Sequence, residues 1–390
     1  MAVQSLIIIL AVLLVLLALG VPIAYSIGIS ALAAILATMD MNVAVITAAQ
    51  RTFVGMSKFS LTAIPFFILA GNLMNQGGIA KRLVDFVMAV LGKLPGALLV
   101  TNAASAPSGL LIPPSNALIT YSLASGGTSV AALFLGGYVP GIVWALCCIA
   151  VGIIFAVKKG YRGVPGSFDW KNLGICTVRA IPALSLIVVV IGGIVAGIFT
   201  ATEGSAIAVV YALILGICYR NITLEKFWRI VIESTRMSGL VVFLIGVSNV
   251  LGWVMSFQQI PQAVSAALLG VTQSPVLILL IMNLILLVAG TFMDVTPAIL
   301  IFTPLFLPIV KSFGMNSVQF GLILVYNLCI GNITPPVGNT LFVAIRVGGS
   351  TLARTLPYML LYYVAILLGL LLVTYIPALT MALPALAGLI

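Results

Sequence analysis

The sequence predicts an all-α polytopic membrane protein made of two inverted repeats, with a re-entrant hairpin and broken helices. Three observations predict it. Of the 390 residues, 63% are hydrophobic and 6% are charged, against about 25% charged in soluble domains. Residues 6–19, 181–198 and 276–289 carry no charge. Runs of this kind, extended by uncharged flanks to about 20 residues, match the length of a membrane helix. Finally, two polar breaks interrupt apolar segments: Gly109-Leu110-Leu111-Ile112-Pro113-Pro114-Ser115-Asn116 and Gly331-Asn332-Ile333-Thr334-Pro335-Pro336-Val337-Gly338-Asn339. Broken helix is tolerated at membrane depth only where protein buries it or it lines a cavity.

The elements follow in order. Residues 1–160 form the first repeat, with crossings at about 5–20, 22–38, 60–76, 104–125 and 130–157. The first crossing is hydrophobic enough for a leader peptide, but it lacks a basic start and is read as a span. Residues 79–92 carry Lys81, Arg82 and Asp85 on one side and Leu83, Phe86, Val87 and Val90 at helical spacing on another. That pattern predicts an interfacial helix. Residues 161–180 form a polar cytoplasmic linker. Residues 181–390 form the second repeat, with crossings at about 180–199, 203–219, 237–257, 317–345 and 356–376. A second interfacial helix is expected over 221–236, which carries Glu225, Lys226, Arg229, Glu233 and Arg236. Over 275–310 an apolar run reaches Ala289, a polar tip follows from Gly290 to Pro297, and a second apolar run reaches Val310. This reads as a re-entrant hairpin.

The halves align by eye. Phe66-Phe67-Ile68-Leu69-Ala70-Gly71-Asn72 parallels Phe243-Leu244-Ile245-Gly246-Val247-Ser248-Asn249, and 20–36 parallels 197–213. One stretch does not match. From Pro275 to Pro335 there are 60 positions, and from Pro95 to Pro113 there are 18. The first repeat therefore has no counterpart of the hairpin after Asn102. Either the protein lacks it, or the native chain carries about 42 further residues there. Symmetry favours the second.

With the N-terminus outside, 14 basic residues fall inside and only Arg51, Lys58 and Lys311 fall outside. Basic residues collect in cytoplasmic loops, so both termini are expected to be periplasmic. An odd number of crossings per repeat makes the repeats inverted. The net charge of +10 is accounted for in the same way. No Arg-rich run with interleaved aromatics argues for nucleic acid. The five cysteines form no CxxC pair and there is no histidine, so a zinc or haem site lacks its usual ligands. With little acid–base chemistry available, the chain is not expected to be an enzyme. It has no P-loop, so ATP is not its direct energy source.

Paired broken helices point to the midplane site of a secondary transporter. Proline removes a donor and disrupts the helical ladder, which frees carbonyl oxygens, hard ligands suited to sodium. The shared spacing gives two candidate sodium sites: Gly109, Ile112 and Pro114 in the first, and Gly331, Thr334 and Pro336 in the second. Asp294 alone among seven acids is placed at membrane depth, at the hairpin tip. A buried carboxylate there is costly and by default functional, so Asp294 is assigned to the second site with Gly290 and Thr296 beside it. A helix-capping role for Asp294 is the alternative. Ser105, Ser108, Ser115, Asn116, Asn339 and Thr340 supply neutral hydrogen-bonding groups for a substrate. Helix N-termini after the prolines favour an anion.

At these residues the chain resembles the large membrane subunit of TRAP (tripartite ATP-independent periplasmic) transporters, in the ion-transporter superfamily. The resemblance rests on residues 105–115, 331–338 and Phe199-Thr200-Ala201-Thr202-Glu203. It implies a bacterial inner-membrane protein with an elevator mechanism. It implies sodium-driven uptake of a small organic acid, sialic acid or C4-dicarboxylate-like. Its partners would be a small four-helix membrane subunit, a soluble periplasmic substrate-binding protein and the lipid bilayer. The family's first hairpin would supply half of the first sodium site and is absent here. A stand-alone dicarboxylate/sodium symporter, or an inactive membrane scaffold, is the alternative.

Overall fold

The computed structural model describes residues 2–91, 103–159, 170–335, 338–347 and 349–390, and all regular structure among them is helical. The first half holds α1 (Ala2–Ala18), α2 (Ile23–Leu36), α3 (Met41–Met56), a 3-10 turn (Phe59–Thr62), α4 (Ala63–Gln76) and α5 (Ile79–Leu91). A second 3-10 turn (Ala106–Leu110), α6 (Asn116–Ala124) and α7 (Val130–Lys159) complete it. The second half holds α8 (Trp170–Val195), α9 (Ala201–Cys218), α10 (Leu224–Phe257), α11 (Ile260–Val271), α12 (Pro275–Phe292) and α13 (Val295–Ser312). It ends with α14 (Ser317–Gly331), α15 (Asn339–Val347), α16 (Leu352–Tyr375) and α17 (Ala378–Leu386). Among the described residues seven helices are long and apolar enough to cross a membrane: α7, α8, α9, α10, α12, α13 and α16. Helix α3 and residues 59–76 form an eighth candidate, bent by 60°. The chain is an all-α polytopic membrane protein.

The two halves turn at matching joints. Gly20 (φ +78°) ends the turn after α1, and Gly197 (φ +70°) does the same after α8. Gly78 (φ +81°) precedes α5, and Gln259 (φ +55°) precedes α11. Left-handed backbone is open to glycine and costly for most other residues. Helix α9 opens on a reciprocal cap: Thr200 Oγ1 accepts from Glu203 N–H at 3.3 Å, and Glu203 Oε2 accepts from Thr200 N–H at 2.7 Å. The two groups satisfy donors that a helix start leaves unpaired.

Several boundaries differ from the sequence expectation. The first two crossings are helices of 17 and 14 residues, short of the roughly 20 that span a bilayer. Helix α3 lies where no crossing was drawn, because its polar Asn42, Gln50, Arg51 and Thr52 lower its hydropathy without stopping a helix. The segment 221–236 is not a separate interfacial helix. Thr223 caps it, accepting from Lys226 N–H at 3.3 Å, and it runs unbroken into the following span as the 34-residue α10. The linker is shorter than drawn, since α8 starts at Trp170. Helix α17 was not expected. It lies on α7, where a methyl group on Gly136 would come within 2.7 Å of the Thr380 carbonyl oxygen. Residues 161–169, Pro336 and the junction after Asn102 lie outside the described residues.

The core is organised around α14, in which every residue from Val318 to Gly331 is buried. A helix that is hydrophobic nearly all round is buried, and this one reads VQFGLILVYNLCIG after its first serine, with Gln319 and Asn327 its two amides. Helices α7, α12, α13, α16 and α6 pack on it. A second group comprises α2, α3, α4, α5, α8, α9 and α10. Within it α3 and α10 approach closely through glycine: a methyl on Gly55 would lie 2.7 Å from Asn249 Cβ, and one on Gly246 2.7 Å from Met56 Cγ. The two groups meet along α10 and α13, and along α4 and α6.

Candidate functional site

Both expected breaks are present and both lie against α14. In the first, the Ala106–Leu110 turn gives way to irregular backbone before α6. Ser108 donates to the Ser105 carbonyl at 2.8 Å. Ser115 is buried and is the N-cap of α6: its hydroxyl donates to the Leu110 carbonyl and accepts from Leu118 N–H. Asn116 is half-buried, and its Oδ1 is sealed off without a hydrogen-bond partner. Ile112 packs against Gly141 of α7, and the Leu111 carbonyl against Gly137. Gly109 and Pro114 are exposed.

The second break separates α14 from α15. Thr334 Oγ1 donates to the Ile330 carbonyl at 2.7 Å, and Thr334 N–H donates to the Gly331 carbonyl at 2.9 Å. The N–H of Thr340 donates to the Asn332 carbonyl at 3.1 Å, which ties the start of α15 back to the break. Tyr363 of α16 donates to the Ile333 carbonyl at 2.6 Å. Several carbonyls freed by the break are therefore already engaged. Each keeps a second lone pair, so an oxygen-lined cation site remains compatible with this geometry. Asn339 is exposed and Thr340 half-buried.

The hairpin supplies the third component. Helices α12 and α13 are joined through Met293 and Asp294, and both pack on α14. Gly290 faces Gly331 directly: a methyl on Gly331 would lie 2.5 Å from Gly290 Cα. Asp294 is not buried, contrary to expectation. Its side chain is exposed and caps α13, with Oδ1 accepting from Val295 N–H at 2.9 Å. A carboxylate at a helix start needs no burial to be stabilised, since the terminal N–H groups favour negative charge. Thr296 is half-buried one turn into α13.

The structure thus brings together Gly290, Gly331 and Thr334. It joins the two breaks through α14, where Cys329 donates to the Pro107 carbonyl at 3.5 Å and Tyr121 donates to the Ser317 carbonyl at 2.6 Å. It leaves Asn339 on an outer face and commits Ser108 and Ser115 to local bonds. Sequence reasoning missed a buried polar chain. Asn327 Nδ2 donates to the Asn283 carbonyl at 2.9 Å and to its Oδ1 at 2.8 Å, and Asn283 Nδ2 donates to Thr374 Oγ1 at 3.2 Å. Asn283 and Asn327 each stand alone as an amide in an apolar run, which was the available signal.

Residues 10–104 and 100–379 match the family described as tripartite ATP-independent periplasmic transporter, DctM component. The chain belongs to this family. As a DctM component it is a multi-pass membrane part of a transporter and not an enzyme. It is similar to the uncharacterized protein YgiK of Salmonella typhimurium, 41% identical over 415 positions that take in 95% of each chain. It is similar to the sialic acid TRAP transporter large permease protein SiaM of Vibrio cholerae, 32% identical over 417 positions, covering 94% of this chain and 95% of that one. The C4-dicarboxylate TRAP transporter large permease protein DctM of Pseudomonas aeruginosa is 33% identical over 385 positions, covering 87% of this chain and 90% of that one.

These alignments are longer than the residues this DctM-family chain contributes. The 415 positions shared with YgiK take in 95% of 390 residues, about 370, so about 45 positions face no residue of this chain. By the same reckoning the alignment with the Vibrio protein leaves about 50 such positions. The two stretches of the family match adjoin at residues 100–104.

Proposed function

We propose that this chain is the large transport subunit of a sodium-coupled system that takes up an organic acid, sialic acid or a C4-dicarboxylate-like solute. The observation that carries the reading is the contact of two polar breaks and a hairpin around α14, inside an otherwise apolar assembly. Discontinuous helices at matching places bind substrate and coupling ions in secondary transporters. The second break offers Thr334, the Asn332 and Ile333 carbonyls and, beside Gly290, the charge of Asp294. These are oxygen donors, the ligand class that hard cations take. Ser105, Ser108, Ser115, Asn116, Asn339 and Thr340 are the residues assigned to the acid; Ser108 and Ser115 would first have to release their local bonds, and Asn116 Oδ1, an acceptor, suits a hydroxyl or amide of the solute and not its carboxylate. Gly109, Ile112 and Pro114 form part of a first cation site, and Pro336 completes the second.

In this reading the group around α14 moves as an elevator against the group of α2–α5 and α8–α10, carrying solute from periplasm to cytoplasm. A soluble periplasmic binding protein delivers the solute, and a small four-helix membrane subunit accompanies the chain in the inner membrane. Both termini are periplasmic. The relatives' names support an acidic solute, since they include sialic acid and C4-dicarboxylate permeases.

The test is uptake of labelled sialic acid and succinate into proteoliposomes holding this chain and the small subunit. The expected result is accumulation that needs both an inward sodium gradient and the binding protein. Uptake indifferent to sodium would overturn the coupling, and uptake without binding protein would favour a stand-alone symporter. The shortfall of about 45 positions against the YgiK relative favours a second reading, an inactive membrane scaffold. Solute uptake by the chain as it stands excludes it.

A further inference from the structure

One cavity lies on the boundary between the two helix groups. Lys58, Ser248 and Asn249 line it from the side of α3 and α10, and Leu123, Leu300 and Pro304 from the side of α6 and α13. Its volume is about 70 Å³, against roughly 300 Å³ and more for a pocket that holds a whole small molecule. It has room for the end of a solute and not for all of it.

The cavity lies at membrane depth. Helix α3 and residues 59–76 run beside α10 from one end to the other. Gln258, just past α10, donates to the Ala34 carbonyl and to Thr38 Oγ1, both at 3.2 Å. Further along, Met56 lies on Gly246, and Asn72 donates to Ser234 Oγ at 2.8 Å. The 60° bend that carries Lys58 therefore falls beside residues 246–249. At 1.5 Å per residue that is about 14 Å from Gln258 and about 18 Å from Ser234, the middle of a hydrocarbon core about 30 Å thick. A lysine at that depth is costly and by default functional.

Two groups of the cavity lack a partner. Ser248 is 3% exposed, and its Oγ is sealed off with no hydrogen bond. The other serines of α10 are satisfied: Ser238 donates to the Ser234 carbonyl at 2.7 Å, Ser256 to the Gly252 carbonyl at 2.9 Å, and Ser234 accepts from Asn72. Bonding back to the preceding turn is the ordinary choice for a helical serine, and Ser248 does not make it. Lys58 is exposed, and among the described residues its ammonium makes neither an ion pair nor a hydrogen bond. Arg51 is engaged instead, with its guanidinium 5.2 Å from the centre of the Trp253 ring and its carbonyl accepting from Asn249 Nδ2 at 2.7 Å. An ammonium and a hydroxyl both donate, and together they complement a carboxylate. The residues assigned to the acid at the two breaks are all neutral, so its charge meets no cation among them. Helix α6 links the two places. Asn116 begins it, and Leu123, about 10 Å further along, lines the cavity.

We propose that Lys58 and Ser248 form a fixed subsite for a carboxylate on the α3–α10 side of the boundary, and that it holds the charged end of the transported acid where the solute passes between the two groups. That the carboxylate is the transported acid's rests on the function proposed above, and the anion subsite itself does not.

The experiment has two arms, both on the full chain with the small subunit. In proteoliposomes, uptake of labelled succinate and sialic acid is followed over a range of concentrations. Lys58→Gln should raise the half-saturating concentration at least tenfold and Ser248→Ala about threefold, with maximal rates within twofold of the unaltered protein. Lys58→Arg should stay within threefold on both counts. Unchanged half-saturation in Lys58→Gln overturns the proposal. So does a loss of maximal rate alone, because Lys58 then serves the bend and binds nothing. A defect that appears only in vesicles containing phosphatidylglycerol assigns the ammonium to a lipid phosphate and also overturns it. If Lys58→Gln does not fold, Lys58→Cys is measured before and after 2-aminoethyl methanethiosulfonate, which restores an ammonium at that position. Half-saturation that the reagent does not bring back counts against the subsite.

The second arm needs no transport. Leu123→Cys, with Cys218→Ser to remove the exposed thiol, is labelled in detergent with anionic sulfonatoethyl and cationic trimethylammonioethyl methanethiosulfonate. The anionic-to-cationic rate ratio should fall at least fivefold when Lys58→Gln is added. Succinate should slow both reagents relative to chloride of equal ionic strength, and only while Lys58 is present. A ratio indifferent to Lys58 overturns the subsite. Labelling that behaves as expected, with no uptake by the unaltered protein, leaves the subsite standing and counts against the proposed function instead.

Discussion

Gly331 lies backbone to backbone on Gly290. A methyl on Gly331 would have to push main chain aside, since the atoms nearest to it are the Cα, carbonyl carbon and oxygen of Gly290, while one on Gly290 would sit 3.3 Å from Gly331 Cα, a tight contact. The contact sets how closely the hairpin sits on the second break. It lies one helical turn along α14 from Asn327, which bonds to Asn283 of the same hairpin helix. The hairpin is thus held by a polar pair and by a close approach on one face.

Gly331→Ala should destabilise the protein by about 1–3 kcal/mol, the usual cost of forcing extra volume into a packed contact. Gly109→Ala, at the matching place in the first break, should leave stability unchanged. Thermal unfolding in detergent reads both. Equal melting temperatures for the two variants would mean that the Gly290 contact is not tight.

Asn327→Ala removes two bonds to Asn283 and should lower stability by about 1 kcal/mol, in the range measured for hydrogen bonds between membrane helices. The effects of Asn327→Ala and Asn283→Ala should fall short of additive, because each removes the same interaction. Additive losses would argue that the amides act separately.

Asp294→Asn keeps an oxygen for the Val295 cap and removes the charge, whereas Asp294→Ala removes both. The proposed sodium role predicts that both abolish sodium-dependent uptake and that only the alanine variant also lowers the melting temperature. Wild-type sodium dependence in Asp294→Asn would reduce this residue to its cap.

Orientation is tested with single cysteines at Ser274 and at Gly163, the latter in the linker outside the described residues. An impermeant maleimide should label Ser274→Cys in intact cells and Gly163→Cys only after permeabilisation. The reverse pattern would invert the proposed topology.

The breaks and the hairpin were legible because their causes are local. Gly109 and the paired prolines at 113–114 and 335–336, with polar neighbours, weaken the helical ladder locally, and the polar tip at Met293 and Asp294 divides two apolar runs. Helix α10 was misread because charge was taken as a boundary. Helices end at caps and breakers, and the charged 225–236 stretch contains none. The fates of Ser115 and Thr334 were not legible, since a hydroxyl beside a break serves a ligand or its own backbone equally well by composition. Burial of Asp294 was inferred from depth alone, and depth does not fix which way a tip side chain points.

Helix α14 has 15 residues, all but the first buried, and at 1.5 Å per residue it is about 22 Å long. It is too short for a full span, and it keeps almost no surface for lipid. Such a segment gains little from the bilayer by itself, so its place in the membrane has to be made by other helices. Four of its neighbours, α6, α7, α12 and α13, are synthesised before it, but α16 and α17 come after. The centre of the molecule therefore cannot close until the last helices have left the ribosome. Biogenesis must hold a mostly apolar, half-assembled core until α16 and α17 arrive to complete it.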